Sequence, residues 1–294
     1  MSARNRWIMA VSLTLLSWAA VRAQEPDEVI RVDTALVTVN VSVADDKGRP
    51  LSGLQAADFL VTDDGQPMQL AFFDGQGPAS IVFVVDLSTS MHGEKWQRLK
   101  AGLKKFLAAA HEGNDYTLIT FSDTPHLLAC SVSAAELWQH FSELKPSGDT
   151  VLYDAVLLGL SALERIPQRH KALVLLSDGQ DNRSHESLSR VQQAALAHRA
   201  TIYTVGILYG HTKGVRTGQE LLNQLAAATG GLVQFPALDE IREVLETISA
   251  DVSSQYSLSY SPPDKGPGWR QIQVRLARAP RRHNLRYQQR YLIR

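Results

Sequence analysis

A single cysteine, Cys130, stands in a chain of 294 residues, so no intramolecular disulfide is available. A chain of this length buries an adequate core without one, even in an oxidising compartment. Cys130 follows His126-Leu-Leu-Ala at the end of an expected strand, with no His and Asn arrangement beside it, and is read as a packed thiol rather than a nucleophile. Net charge is lacking as well, because 30 Lys and Arg balance 30 Asp and Glu. The nine histidines are scattered without His-Glu-x-x-His or similar zinc spacing. No Gly-x-x-x-x-Gly-Lys-Ser/Thr loop and no Gly-x-Gly-x-x-Gly turn occurs, which leaves nucleotide use unsupported. The Gly-x-Ser-x-Gly elbow of a serine hydrolase is also missing.

Long apolar runs are rare. The one at the start, Trp7 to Val21, follows Arg4 and Arg6 and precedes Val21-Arg22-Ala23. It is shorter than the ~20 residues a spanning helix needs, and its charged front and small-residue end suit a secretory signal peptide over residues 1–23. An uncleaved anchor is the alternative. Cleavage before Gln24 removes three arginines and no acid, leaving 27 basic against 30 acidic residues. The expectation is therefore an exported protein, periplasmic or extracellular, with no stable membrane span after cleavage.

What is present falls into three stretches. Residues 24–79 read as β structure: Leu36, Val37, Val39, Val41 and Val43 largely alternate, and Phe59 to Phe73 reads as a hairpin turning at Asp64-Gly65. Three or so strands make a thin sheet that needs a partner surface. Residues 80–254 alternate strands with helices, the pattern of a mostly parallel α/β sheet. Residues 255–294 return to β, with Tyr256-Ser-Leu-Ser-Tyr260, then Ile272, Val274 and Leu276, then one final strand marked by Leu285, Tyr287 and Tyr291. The two β flanks are expected to form one composite module. Residues 265–294 carry nine Lys or Arg and no acid. With no aromatic platform beside them they read as the wet face of a strand, and no nucleic-acid partner is expected.

The chemistry concentrates at the ends of two apolar strands. Ile81-Val-Phe-Val-Val85 is a run suited to a strand buried on both faces, and it ends in Asp86, Ser88 and Ser90. Ala172-Leu-Val-Leu-Leu-Ser177 is a second such run and ends in Asp178. In open α/β sheets, ligands bind outside the carboxyl ends of the strands. Oxygen-only donors suit Mg²⁺ or Ca²⁺ rather than zinc or copper. Taken singly, Ser88, Ser90 and Thr150 also suit helix caps and Asp178-Gly179 an ordinary turn.

Three segments stand in register after the expected strands: Val84-Val-Asp-Leu-Ser-Thr-Ser-Met91, Ser147-Gly-Asp-Thr-Val-Leu-Tyr-Asp-Ala155 and Leu175-Leu-Ser-Asp-Gly-Gln-Asp-Asn182. Together they resemble the three metal loops of a von Willebrand factor type A (VWA) domain, over about Ile81 to Ser254. The flanks, through Phe59 to Gly65 and Tyr256 to Tyr260, resemble those of the bacterial VWFA-related family. The resemblance implies a Rossmann-like α/β fold with six strands in the order 3-2-1-4-5-6, one of them a short antiparallel edge near His126 to Cys130. It also implies a metal-ion-dependent adhesion site made by Asp86, Ser88, Ser90, Thr150 and Asp178, holding Mg²⁺, with Ca²⁺ or Mn²⁺ as substitutes. Family members often carry glycine where this chain has Thr89 and Asp149, neither of them a ligand. The implied partner is a protein that supplies an Asp or Glu carboxylate to the metal. Two other readings compete with adhesion. One is a structural envelope protein with a non-exchanging metal. The other is a Mg²⁺-dependent phosphatase-like hydrolase, disfavoured because Ser88 stands where the second acid of a haloacid-dehalogenase-like site would be.

Overall fold

The computed structural model describes residues 36–167, 170–198, 200–208, 213–263, 266–278 and 283–293. The expected signal peptide, residues 1–23, lies outside them. Four strands come first: β1 (Val37–Asp45), β2 (Phe59–Asp63), β3 (Gln66–Met68) and β4 (Leu70–Asp74). The α/β part then runs β5 (Ser80–Asp86), α1 (Glu94–Ala108), β6 (Asp115–Phe121), β7 (Pro125–Val132), α2 (Ala134–Ser142), α3 (Leu152–Arg165), β8 (Lys171–Ser177), α4 (Leu188–His198), β9 (Thr201–Gly206), α5 (Lys213–Thr229), β10 (Val233–Gln234) and α6 (Ile241–Ser253). Four more strands close the chain: β11 (Tyr256–Tyr260), β12 (Gly268–Leu276), β13 (His283–Arg286) and β14 (Arg290–Ile293).

The central sheet has the order β10-β9-β8-β5-β6-β7. Counted from β5, this is the expected 3-2-1-4-5-6, parallel throughout except for β7, which pairs antiparallel with β6 at one edge. Every residue of β5 is buried because both faces of the sheet are covered. Ile81, Phe83 and Val85 share a core with α1, α2 and α6. Val82 and Val84 face the opposite way, into a core with α3, α4 and α5. The helices are amphipathic to match. In α1, for example, Trp96, Leu99, Leu103 and Phe106 recur at three- and four-residue spacing and are all buried. Each such side chain contributes about 1.5–3 kcal/mol by leaving water.

The flanks interleave into two four-stranded sheets, β13-β1-β11-β4 and β14-β12-β2-β3. Their inner faces share one apolar cluster, including Val39, Val41, Val61, Leu258, Ile272 and Val274. Neither flank could cover its own apolar face, so the composite module is what burial requires. The β2–β3 turn falls at Asp64-Gly65, both with positive φ (47° and 79°), the backbone of a two-residue hairpin turn. Beyond that turn β4 leaves for the other sheet and pairs with β11.

Three readings from sequence need correction. Cys130 is exposed rather than packed, because β7 is an edge strand whose core contacts come from Ala129 and Val132. The single last strand is two: β13 pairs with β1 and β14 with β12. The chain breaks between them where the Tyr287 backbone crosses so close to Gly230 that a Cβ there would meet it at 2.6 Å. The basic stretch is only partly a wet face, since Arg270 is buried and Arg286 is ion-paired with Asp251 at 2.6 Å.

That ion pair belongs to the junction between the two parts. Asp251, near the end of α6, accepts hydrogen bonds from Arg286 Nη2 (2.6 Å), Tyr203 OH (2.5 Å) and Ser42 Oγ (3.1 Å). Gln255 adds donors to Tyr203 and Ser42. Burial and the adjacent carboxylate push the Tyr203 phenol well above its ordinary pKa, so it stays a donor. Gln288 also reaches back, donating to the Leu196 carbonyl of α4. These contacts lie at the C-terminal ends of α4 and α6, leaving the carboxyl ends of the strands clear.

Candidate metal centre

Asp86 is the last residue of β5, and Asp178 follows the last residue of its neighbour β8. The two acids therefore share one end of adjacent strands. Asp86, Ser88, Thr150 and Asp178 are all buried, while Ser90 is exposed at the mouth. Three loops meet here and are stapled pairwise. Ser177 Oγ donates to Asp86 Oδ2 (2.6 Å), joining the third loop to the first. Thr89 donates to the Gly148 carbonyl through both its N–H (3.0 Å) and its hydroxyl (2.9 Å), joining the first to the second. The Thr150 carbonyl accepts from Asn182 and Arg183 N–H groups, and Thr150 N–H donates to Asn182 Oδ1 (2.9 Å), joining the second to the third.

Loop shape is set by the same residues. Ser88 N–H donates to Asp86 Oδ1 (2.8 Å), folding the chain back over the acid, and the Ser88 and Ser90 hydroxyls lie 3.0 Å apart. Gly179 has φ 77°, and a Cβ there would meet the Gly218 carbonyl at 2.5 Å; α5 packs against this loop only because both positions lack side chains. The first residue before α3 is Val151, which cannot cap a helix, so Asp181 Oδ1 accepts the Leu152 N–H (2.8 Å) instead. A carboxylate at a helix N-terminus is favourable, and it anchors the start of α3 two residues after Thr150. Asp149 is paired with Arg183 at 2.6 Å.

Electrostatics distinguish the two acids. Burial, with Asp178 adding repulsion, raises the Asp86 pKa to about 6 against the pull of its bonds from Ser177 and Ser88. Asp178 instead meets a cation of the chain itself: Lys95 Nζ lies 3.2 Å from its Oδ2. Gln180 donates to both oxygens, its N–H to Oδ1 and its Nε2 to Oδ2, each at 3.3 Å. The Thr150 hydroxyl has no hydrogen-bond partner among the described residues. Also among the described residues, no three His, Cys, Asp or Glu converge as a metal cluster. Two carboxylates with three hydroxyls are nevertheless a fitting set for a hard divalent ion that keeps some of its waters.

The five residues singled out from sequence thus lie on three loops that hydrogen bonds join at the carboxyl ends of β5 and β8. Sequence reasoning missed Lys95, Ser177, Asp181 and Asn182. The last three lay inside a recognised segment, and only their side-chain targets were hidden. Nothing local aims Lys95 at Asp178, which is 83 residues away. Beside the third loop lies an open cavity of about 440 Å³, lined by Tyr153, Gln180, Asp181, Thr217 and Leu221 among others.

Comparison with known proteins agrees with this architecture. Residues 81–180 match the sequence model of the von Willebrand factor type A domain. Inter-alpha-trypsin inhibitor heavy chain H4 of Sus scrofa is 27% identical over 171 residues, which is 53% of this chain and 18% of that protein. Heavy chain H3 of Bos taurus is 26% identical over 183 residues, 55% of this chain and 20% of that one. The chain therefore spans about a fifth of the length of these relatives. A solved von Willebrand factor type A structure from Catenulispora acidiphila superposes with a TM-score of 0.52 at 12% identity, covering 87% of this chain and 73% of that one. The α/β part of this chain therefore has the von Willebrand factor type A fold, with residues 81–180 matching that domain's sequence model, and it adjoins a β sandwich built from both flanks.

Proposed function

We propose that this protein binds a partner protein through a divalent metal ion held by Asp86, Ser88, Ser90, Thr150 and Asp178. The observation that carries the reading is the pairwise stapling of three loops around two buried acids at the carboxyl ends of β5 and β8. When bound, the ion, Mg²⁺ or in its place Ca²⁺ or Mn²⁺, supplies a Lewis-acidic position for an Asp or Glu carboxylate of the partner. The chain's own residues do the rest. Ser177 and the Ser88 N–H orient Asp86, Asp181 and Asn182 hold the Thr150 loop, and Ser90 sits exposed at the mouth where a partner approaches. The hydroxyl nearest Asp86, that of Ser177, is fully buried and spent on joining two loops, an arrangement that suits binding better than nucleophilic attack. The curated relatives over this stretch are named as heavy chains of an inhibitor, in keeping with an interaction module.

Export is part of the same proposal and rests on residues 1–23. No helix among the described residues is long and apolar enough to cross a membrane. Calorimetry with MgCl₂, MnCl₂ and CaCl₂, alongside thermal unfolding in EDTA, tests the metal. Binding that disappears in Asp86→Ala and Asp178→Ala supports the site, whereas no heat and equal melting temperatures in wild type would refute it. N-terminal sequencing of the protein from a native host tests export: a start at or near Gln24 is expected, and an intact Met1 in membranes would favour an anchor.

A further inference from the structure

We infer that Lys95 is the resident counter-ion of the metal-free crevice, and that a divalent ion enters by displacing its ammonium group from Asp178. The inference rests on the metal-site reading above and adds a residue that none of the three loop segments contains.

The geometry is specific. Lys95 belongs to the first turn of α1, which begins directly after the Asp86–Met91 loop. Its Nζ reaches across to Asp178 Oδ2 at 3.2 Å, with the lysine side chain 17% exposed and the aspartate 3%. The same Oδ2 accepts from Gln180 Nε2, and Oδ1 from the Gln180 N–H. Asp178 is thus supplied with three donors, one of them charged, before any metal is present. Asp86 differs: its donors, from Ser177 and Ser88, are neutral.

Charge makes the two cations competitors. A divalent ion alone balances Asp86 and Asp178; with the ammonium still on the same oxygen, two like charges would crowd one carboxylate. Lysine is the residue that can give way. Its ammonium is a strongly hydrated point charge on a flexible four-carbon stem, with no bidentate hold on the carboxylate. Water is close at hand, since Glu94 on one side and Gln97 and Arg98 on the other are exposed. The pair therefore has two effects of opposite use: it stabilises the crevice without metal, and it weakens metal binding by the strength of the contact that must be broken.

The test is calorimetry with MgCl₂ and MnCl₂ on the full chain, with melting temperature in EDTA as a second readout. Lys95→Met is expected to bind Mg²⁺ about five- to ten-fold more tightly than wild type and to melt about 2–4 °C lower in EDTA. Lys95→Arg keeps a cation on Asp178 and is expected to bind no more tightly than wild type. If Lys95→Met does not fold, Lys95→Gln makes the same charge deletion. Wild type that binds metal while the charge-deleted variant binds equally or more weakly overturns the inference and leaves the site standing. Wild type that binds neither ion overturns the site itself, and the inference with it.

Discussion

Two cation–carboxylate pairs stand at opposite ends of the α/β part, and they differ in kind. At the junction with the β sandwich, Asp251 is held by the Arg286 guanidinium at 2.6 Å and by two hydroxyls, from Tyr203 and Ser42. In the crevice, Asp178 is held by the Lys95 ammonium at 3.2 Å and by the backbone and side chain of one flexible residue, Gln180. Arginine presents a rigid fork that keeps its charge at all relevant pH, while lysine is a movable point charge. The first arrangement closes a carboxylate inside the structure. The second covers one that another cation can claim. Burial alone does not separate them, because both acids are largely buried; the nature and number of the donors does.

The largest effect is expected where the closed pair is broken. Arg286→Ala leaves Asp251 among hydroxyls without its cation, and loss of a partner from such a pair costs about 3 kcal/mol or more. Urea unfolding reads this directly, and a loss near the ~0.5 kcal/mol of an ordinary surface change would erase the contrast. Next comes pH in the metal-free protein. The Asp86 pKa is raised from 3.8 to about 6 by burial, so the folded chain binds more protons than the unfolded chain between those values. Stability in EDTA should then fall as pH rises from about 4 through 6, by up to about 3 kcal/mol from this one group. The difference in melting temperature between wild type and Asp86→Asn across that range isolates it; a pH-independent difference would be the contrary result.

Metal itself ranks third. At a hundred-fold excess over Kd, a divalent ion should stabilise wild type by about 2.7 kcal/mol, and Asp86→Ala or Asp178→Ala should abolish that gain while remaining folded in EDTA. Thermal unfolding with and without MgCl₂ checks both halves. The smallest change sharpens the comparison at the junction. Tyr203→Phe removes one of three donors to Asp251 but leaves Arg286, so a cost of about 1–2 kcal/mol is expected. If chemical unfolding shows it matching Arg286→Ala, the hydroxyl rather than the guanidinium is what closes the pair.

Much of this could be read from the chain because the signals are local. An apolar run ending in an acid marks β5 and again β8, and the intervening segment around Thr150 follows in register. The periodicity of α1 and the Asp64-Gly65 turn are local in the same way. What stayed hidden depends on distant partners. Lys95 is one exposed-helix residue among several until α1 is placed beside Asp178. Arg270 and Arg286 alternate like solvent-facing residues, yet tertiary packing buries the first and pairs the second. The break between β13 and β14 answers to Gly230, far away in sequence, and Cys130 is exposed because the sheet happens to end at β7.

The interleaved sandwich also bears on how the protein is made. Strand β1 finds its two neighbours in β11 and β13, and Thr38 meets Ser259 across 221 residues. A growing chain therefore carries β1 without its strand neighbours, with Val37, Val39, Val41 and Val43 uncovered, until the whole α/β part has been synthesised. The α/β part needs no residue beyond its own 80–254 to complete its sheet, and domains generally fold as units during synthesis. A polypeptide ended at Ser254 should accordingly resist protease over residues 80–254 and be cut within residues 37–74. The last forty residues, carrying β11 to β14, complete both sheets at once.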